Sequence, residues 1–290
     1  MSETAVNDTP LMTDELFQLF AKFIYDFAGI RLSDQKKTLM VSRFQKRLRA
    51  LGLSSYQEYY KRVKADEDET IIMLNCISTN TTKFFRENHH FEYLRDTLIP
   101  RLVESRCQQR EIRIWSAGCS TGEEPYSIAV SVSEALRERF PNADPDDPFC
   151  GWDVKILASD ISTNVLASAQ RGIYSMEQLP DRLAPDFLRR HFLKGTEALT
   201  GAFAVKDFLK QVVRFRRLNL KDATYPFTKK FDLIFCRNVM IYFDDPMKNH
   251  VLNMFHRNLS DDGHLFLGHS ETMFNNALFK PVGITVYRRL

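Results

Sequence analysis

The chain has 290 residues, 44% hydrophobic and 27% charged, a balance that suits a globular protein with one large domain or a small one joined to a medium one. No apolar run reaches the ~18 residues of a membrane span, and the opening MSETAVNDTP lacks the basic-then-apolar order of a signal peptide, so a cytoplasmic location is expected. Cys76, Cys107, Cys119, Cys150 and Cys236 are scattered, with no CxxC pair and no HExxH, which argues against a disulfide framework or a zinc cage and for reduced thiols without a metal.

Residues 1–10 read as a loose tail. Thr13 can cap a helix whose first turn holds Asp14 and Glu15 and whose apolar face runs from Leu16 to Phe27, closed by Gly29. Ser33 starts a second helix that Gly52 stops. Ser55-x-x-Glu58 is a capping box for a third, and a fourth runs from about Asp68 to Ile77. The net charge of +3 is uneven here: ten Lys and Arg between Arg31 and Lys64 face only Asp34 and Glu58, a local balance of +8. STNTTK (78–83) breaks the pattern with turn formers, and a helix from Asn88 to about Ser105, bent at Pro100, follows as part of a linker.

The pattern then changes. EIRIWSAG (111–118), VKILASD (154–160) and FDLIFCR (231–237) read as strands, the last apolar enough to be buried on both faces. Helices at 122–140, after Ser162 or Thr163, and from Asp244 or Asp245 to Leu259 separate them. GHLFLG (263–268) and GITVYRR (283–289) are final strands able to pair antiparallel at an edge. Alternating strands and helices predict an α/β fold on a doubly wound parallel sheet. Between Gly172 and Asn219 the alternation stops, and LKGT, GAFAVKD and QVVRFRRL suggest a small antiparallel insertion. The expected domains are a helical one over 11–80, a linker and helix over 81–110, and an α/β domain over 111–290 with its insertion at about 172–217.

Ligands of an open α/β sheet sit beyond the carboxyl ends of its strands. Three such ends carry polar groups. Ala117-Gly118-Cys119-Ser120-Thr121-Gly122-Glu123-Glu124 is neither GxGxxG nor a P-loop, and its two glutamates suit a cationic ligand; a plain strand-to-helix turn with acids at the helix start explains them equally. Asp160 can accept two ribose hydroxyls. Arg237, Asn238, Tyr242 and Phe243 leave the third strand into a cleft, the alternative being an ion pair at a domain interface for Arg237 and a core position for Tyr242.

Together STNTTKFFRE (78–87), WSAGCSTGEEPYSIA (115–129), ILASDIS (156–162), LNL (218–220), FDLIFCRNVMIYF (231–243) and GHSE (268–271) resemble the CheR-type chemotaxis receptor methyltransferases, from about Phe17 to the chain end. The resemblance implies a small all-helical N-terminal domain, a Rossmann-like S-adenosylmethionine-dependent domain with an inserted three-stranded antiparallel subdomain, and methylation of glutamate carboxylates on the cytoplasmic helical bundle of chemoreceptors, leaving S-adenosylhomocysteine. It places Asn80, Thr82, Arg86, Glu124, Asp160, Asn219, Leu220, Arg237 and Asn238 at the cofactor, with Glu124 on the amino group, Asp160 on the ribose, and Asn219 and Leu220 near the adenine. Arg86 and Tyr242 are implied nearest the transferred methyl. Arg86 suits a bidentate carboxylate clamp, against the plainer reading of an ion pair with Glu87.

On the second helix, Lys36, Arg43, Lys46 and Arg47 form a basic face, which is either a solvated face or a seat for an acidic receptor bundle. In some members of the family the insertion docks a receptor tail peptide by strand addition, and the stretch from Gly195 to Lys206 has a compatible length. A nucleic-acid methyltransferase is the rival enzyme, but Cys236-Arg237-Asn238 replaces both the Asn/Asp-Pro-Pro-aromatic run and the Pro-Cys nucleophile of such enzymes. A cofactor-sensing module without transfer is the non-enzymatic rival. No nucleic acid and no membrane insertion are expected.

Overall fold

A computed structural model describes residues 11–77, 81–180, 184–196, 200–273 and 276–290; the tail read over 1–10 lies outside them. The chain divides between Thr79 and Asn80 into two compact units.

The first unit is four helices: α1 (Asp14–Ala28), α2 (Lys37–Leu51), α3 (Tyr56–Ala65) and α4 (Glu67–Ile77). Thr13 Oγ1 accepts the Leu16 N–H at 3.2 Å, a cap worth about 1 kcal/mol. Ser33 does not open α2 as expected. Its side chain makes no cap bond, and the chain first tightens into a 3-10 turn over Asp34–Lys36. Ser55 caps α3, but Glu58 reaches back to Ser54 N at 3.1 Å rather than to Ser55, so the box is shifted by one residue. Phe20, Phe44 and Tyr59 fill the interior, with Phe44 5.1 Å from Phe20 and 5.3 Å from Tyr59 between ring centres.

The second unit opens with α5 (His89–Tyr93), a π turn (Leu94–Leu98) and α6 (Ile99–Ser105) in one continuous run. Pro100 has no N–H to give. The ladder widens just before it, the Ile99 N–H bonding to Leu94 O, so the bend expected at Pro100 is a π turn. This run packs on α7 (Glu123–Arg139) inside the second unit.

Three central strands, β1 (Glu111–Ala117), β2 (Asp153–Asp160) and β7 (Phe231–Cys236), lie where the apolar runs predict. Between β2 and β7 come α8 (Thr163–Arg171), β3 (Ile173–Ser175), α9 (Pro185–His191), β4 (Phe192–Lys194), β5 (Ala202–Val205), α10 (Asp207–Val212) and β6 (Val213–Arg217). After β7 follow α11 (Asp245–Asn258), β8 (Leu259–Leu267), β9 (Phe279–Gly283) and β10 (Val286–Arg289). The main sheet runs β6-β2-β1-β7-β8-β10-β9. Its first five strands are parallel and the last two antiparallel. β3-β5-β4 form the small antiparallel sheet.

One piece moves. QVVRFRRL was expected within the insertion, yet Val213–Arg217 joins the main sheet as a parallel edge strand beside β2. Val213 and Phe215 bury one face while Arg214 and Arg216 stay exposed, the alternation of a half-covered edge. The short IYS segment at 173–175 supplies the third insertion strand instead.

Every residue of β7 is buried. Phe235 stacks on Phe266 at 4.0 Å, and Trp115 packs against Phe231 and Phe255 while its indole N–H bonds to Ser159 Oγ at 2.8 Å. This packing holds the carboxyl ends of β1, β2 and β7 side by side. The strand order reverses between β1 and β7, where a doubly wound sheet opens its ligand crevice.

Candidate active site

At the end of β1 the chain turns through Gly118 (φ 84°) and Gly122 (φ 96°) before α7. A Cβ on Gly118 would come within 2.3 Å of Val239 Cγ2, so the loops after β1 and β7 touch only because the residue is glycine. Phe85, Glu87, Ser120 and Asn238 also hold positive φ, at 53°, 56°, 48° and 60°. Four strained bends around one crevice are a common mark of a functional site.

Asp160 ends β2 half-buried. Its carboxylate takes the N–H groups of Ser120 and Ser162 at 2.9 Å each, which ties the β1 loop to β2 and leaves further lone pairs for a ligand's hydroxyls. Burial pushes its pKa up, against those backbone donors.

Glu124, on the first turn of α7, accepts from Ser116 Oγ at 2.7 Å and from Arg237 Nη1 at 3.1 Å. Burial raises its pKa as well, against the pull of Arg237. Arg237, with its side chain 2% exposed, is gripped on three sides: by Glu124, by the Arg86 carbonyl, and by Glu87 Oε2 at 3.1 Å in an ion pair not aligned as a hydrogen bond. Burial tends to raise the Glu87 pKa too, but Arg237 and His269 together outweigh it and the carboxyl lies below the usual glutamate range. The ion pair weighed for Arg237 therefore exists, inside the second unit. Glu87, offered as a partner for Arg86, belongs to Arg237. Arg237 Nε has no partner among the described residues.

Arg86 is exposed, its Nη1 donating to Thr81 O at 3.0 Å. Thr82 is half-buried, while Asn80 lies outside the described residues. Hydrogen bonds from Phe84 N to Gln178 O and from Phe85 N to Ser127 Oγ seat this segment over α7. Asn238 turns the chain after β7, and Tyr242 sits half-buried in the next 3-10 turn. Beyond β6, Leu218 N bonds to Asp160 O at 3.1 Å, which brings Asn219 and buried Leu220 to the β2 end. Thr82, Arg86, Glu124, Asp160, Asn219, Leu220, Arg237, Asn238 and Tyr242 are thus all carried on segments at or beside the strand ends. Sequence reasoning offered Glu87 only as an ion-pair partner for Arg86 and gave Glu271 no role. Each closes a quoted motif, STNTTKFFRE or GHSE, and an acid beside a strand-end loop is the signal that marks them.

The residue set fits a cationic nucleoside ligand. Glu87, Glu124 and Asp160 stand against one buried guanidinium, and two of these carboxyls are pushed up by burial, which a bound cation relieves. The glycine bends let such a ligand approach the backbone.

In the first unit the basic face is partly committed. Arg47 makes a two-pronged pair with Glu69, with Nε 2.8 Å from Oε1, and Tyr59 OH adds 3.1 Å to the same carboxylate. Arg43 Nη1 donates to Cys76 O at 2.8 Å. Lys36 is half-buried at the end of the 3-10 turn, and Lys46 is exposed.

No helix among the described residues is long and apolar enough to cross a membrane. Residues 80–288 match the family described as CheR methyltransferase, SAM binding domain, and residues 15–78 its all-alpha domain. A chemotaxis protein methyltransferase of Borreliella burgdorferi is 40% identical over 95% of this chain and 94% of its own length. Chemotaxis protein methyltransferase 2 of Pseudomonas aeruginosa is 42% identical, over 95% and 93%. The chemotaxis protein methyltransferase of Escherichia coli K12 is 39% identical, over 95% and 91%.

Proposed function

This chain belongs to the CheR family of S-adenosylmethionine-dependent chemotaxis methyltransferases, and from that premise we propose that its methyl acceptor is a glutamate side chain on the cytoplasmic helices of chemoreceptors. The products are a glutamate methyl ester and S-adenosylhomocysteine, and the protein works in the cytoplasm. The observation that carries the reading is the surplus of largely shielded carboxyls over cations at the strand ends, which suits a positively charged donor.

Bound S-adenosylmethionine supplies a methyl on a cationic sulfur. Glu124 would receive the amino group of its methionine part, Asp160 the ribose hydroxyls, and Asn219 and Leu220 the adenine edge. Thr82, Asn80 and Asn238 complete the cofactor contacts. Arg237 would act chiefly by fixing Glu124, since its own side chain is already engaged. A glutamate acceptor is ionised at neutral pH, so no general base is required. What the residues must do is orient and partly desolvate it, and orientation alone is worth up to ~7–11 kcal/mol in favourable systems. Arg86, exposed on the rim, would clamp the incoming carboxylate, and Tyr242 would hydrogen-bond it.

Receptor binding would use Lys36 in the turn before α2, with Lys46 and the accessible part of Arg43 on α2 itself. Arg47 contributes through Glu69 to the helix packing, which supports a structural role before a docking one. The insertion offers a second contact: Ile173 and Leu193, 47% and 55% exposed, flank Ala204 across its three strands, and its outer strands pair with no fourth strand among the described residues, which suits a receptor tail added as a strand.

The test is incubation with methyl-labelled S-adenosylmethionine and receptor-containing membranes, RNA or DNA. A base-labile label on receptor protein is the expected result. Label on nucleic acid, or cofactor binding without transfer to any of the three, would overturn the proposal.

A further inference from the structure

β7 and β8 end in register, with Cys236 opposite Leu267. Just beyond, the two chains diverge, and the N–H groups of Asn238 and Gly268 lose the ladder partners a longer sheet would give them. One carboxylate collects both. Glu271 Oε2 accepts from Asn238 N and from Gly268 N at 2.7 Å each, and Oε1 accepts from Ile241 N at 3.2 Å. Glu271 is itself 8% exposed. A Cβ on Gly268 would lie 2.5 Å from Asn238 Nδ2 and 2.8 Å from Glu271 Oε2, so the two loops close around the carboxylate with no room left.

We infer that Glu271 is a positioning residue for methyl transfer: it pins both ends of the segment 238–241, and so sets Asn238 and Tyr242 in the crevice. Three converging N–H donors call for an acceptor with four lone-pair sites and a negative charge, which only a carboxylate provides. Asn238 sits at φ 60°, a left-handed bend that asparagine tolerates better than most residues, and the carboxylate on its N–H holds the chain in that bend. Tyr242 follows one residue after Ile241, and its own N–H bonds back to Val239 O at 3.2 Å, so an anchor at Ile241 fixes where the phenol starts. Both Glu271 oxygens are taken by backbone N–H groups, so it acts through the loop.

The inference rests on the methyl-transfer reading above, and the experiment separates the two. Turnover at saturating S-adenosylmethionine, S-adenosylhomocysteine affinity by calorimetry, and thermal unfolding are measured for wild type, Glu271→Gln, Glu271→Ala and Gly268→Ala. Glu271→Gln keeps one oxygen for the two short bonds and turns an amide NH2 toward Ile241 N–H, so turnover falls several-fold. Glu271→Ala loses all three bonds, and Gly268→Ala forces the loops apart; both lose turnover at least tenfold. Affinity for S-adenosylhomocysteine, carried largely by Glu124 and Asp160 with Asn238 as a lesser contact, falls only a few-fold, well short of the loss in turnover. A purely structural role would lower affinity, turnover and unfolding temperature together. That pattern, or Glu271→Ala turnover within twofold of wild type, overturns the inference. Should the alanine variant not fold, Glu271→Gln decides alone, and wild-type turnover in it is the overturning result. Wild type inactive on receptors would sink the functional reading instead.

Discussion

In the helical unit Arg47 meets a single carboxylate, Glu69, and Tyr59 supplies one more hydrogen bond, so donors and acceptors balance. In the methyltransferase unit Arg237 stands between two carboxylates, Glu87 and Glu124, with its own Nε unpartnered among the described residues. The first arrangement locks helices together. The second carries more acid than it neutralises, in a place where burial already disfavours charge. A buried pair that is satisfied holds structure, whereas one left electrically incomplete fits a ligand of the missing sign.

The sharpest way to break this contrast is to remove each cation. Arg237→Met should strip about 3–5 kcal/mol from the methyltransferase unit, because two buried carboxylates then face each other alone, and it should abolish methyl transfer. Arg47→Met should cost only about 2 kcal/mol, since Glu69 keeps the Tyr59 hydroxyl, and should leave cofactor affinity unchanged. Denaturant unfolding, with hydrogen exchange to say which unit loosens, measures both. A costlier Arg47 would reverse the comparison.

Arg86 sharpens it from the other side, as an exposed cation on the rim of the acidic crevice. Arg86→Ala should lower ester formation about 100-fold or more, near 2.7 kcal/mol, with no change in unfolding. Activity within about threefold of wild type would remove Arg86 from the mechanism.

Acid should discriminate the units as well. In the methyltransferase unit burial holds His90 and His264 neutral, with pKa values pushed down to about 3 and about 4. Unfolded, each returns to ~6.5, so below that pH the unfolded chain binds the extra protons. Stability is therefore full above pH ~6.5 and falls as the pH drops toward 4 and then 3, by up to about 1.4 kcal/mol per pH unit for each histidine. The described helical unit has no histidine. Unfolding followed from pH 7 to 4 in the wild type and His90→Gln checks this, the variant being expected to show the shallower slope. The smallest effect belongs to Lys46→Glu. It should raise the receptor KM a few-fold at low salt and little at high salt, without altering stability; an effect insensitive to salt would argue against electrostatic seating.

Much of this was legible in the residues alone. Continuous apolar runs placed β1, β2 and β7, and the polar residues leaving them placed Glu124, Asp160 and Arg237 near one another. Partner choice was not legible. Nothing in the spacing says that Glu87 would take Arg237 rather than its neighbour Arg86, or that Arg47, four residues from Arg43 on a seemingly open face, would turn to Glu69. Both depend on which segments meet in three dimensions. The strand at 213–217 was misplaced for a related reason: VRFRR alternates like a hairpin strand, and an edge strand with one covered face alternates in the same way.

The π turn at Leu94–Leu98 carries a consequence for the crevice. The Ile99 N–H reaches back five residues to Leu94 O instead of four, so the helix has taken in one residue beyond its regular count. Deleting a residue there would let the run relax to an unbroken α-helix with better hydrogen bonding. It would also swing everything upstream by about 100° around the axis. Phe91 would leave Phe235, His90 would leave Thr285, and Glu87, just ahead of the first turn, would be carried away from Arg237. A more regular helix would thus dismantle the acidic crevice from a distance.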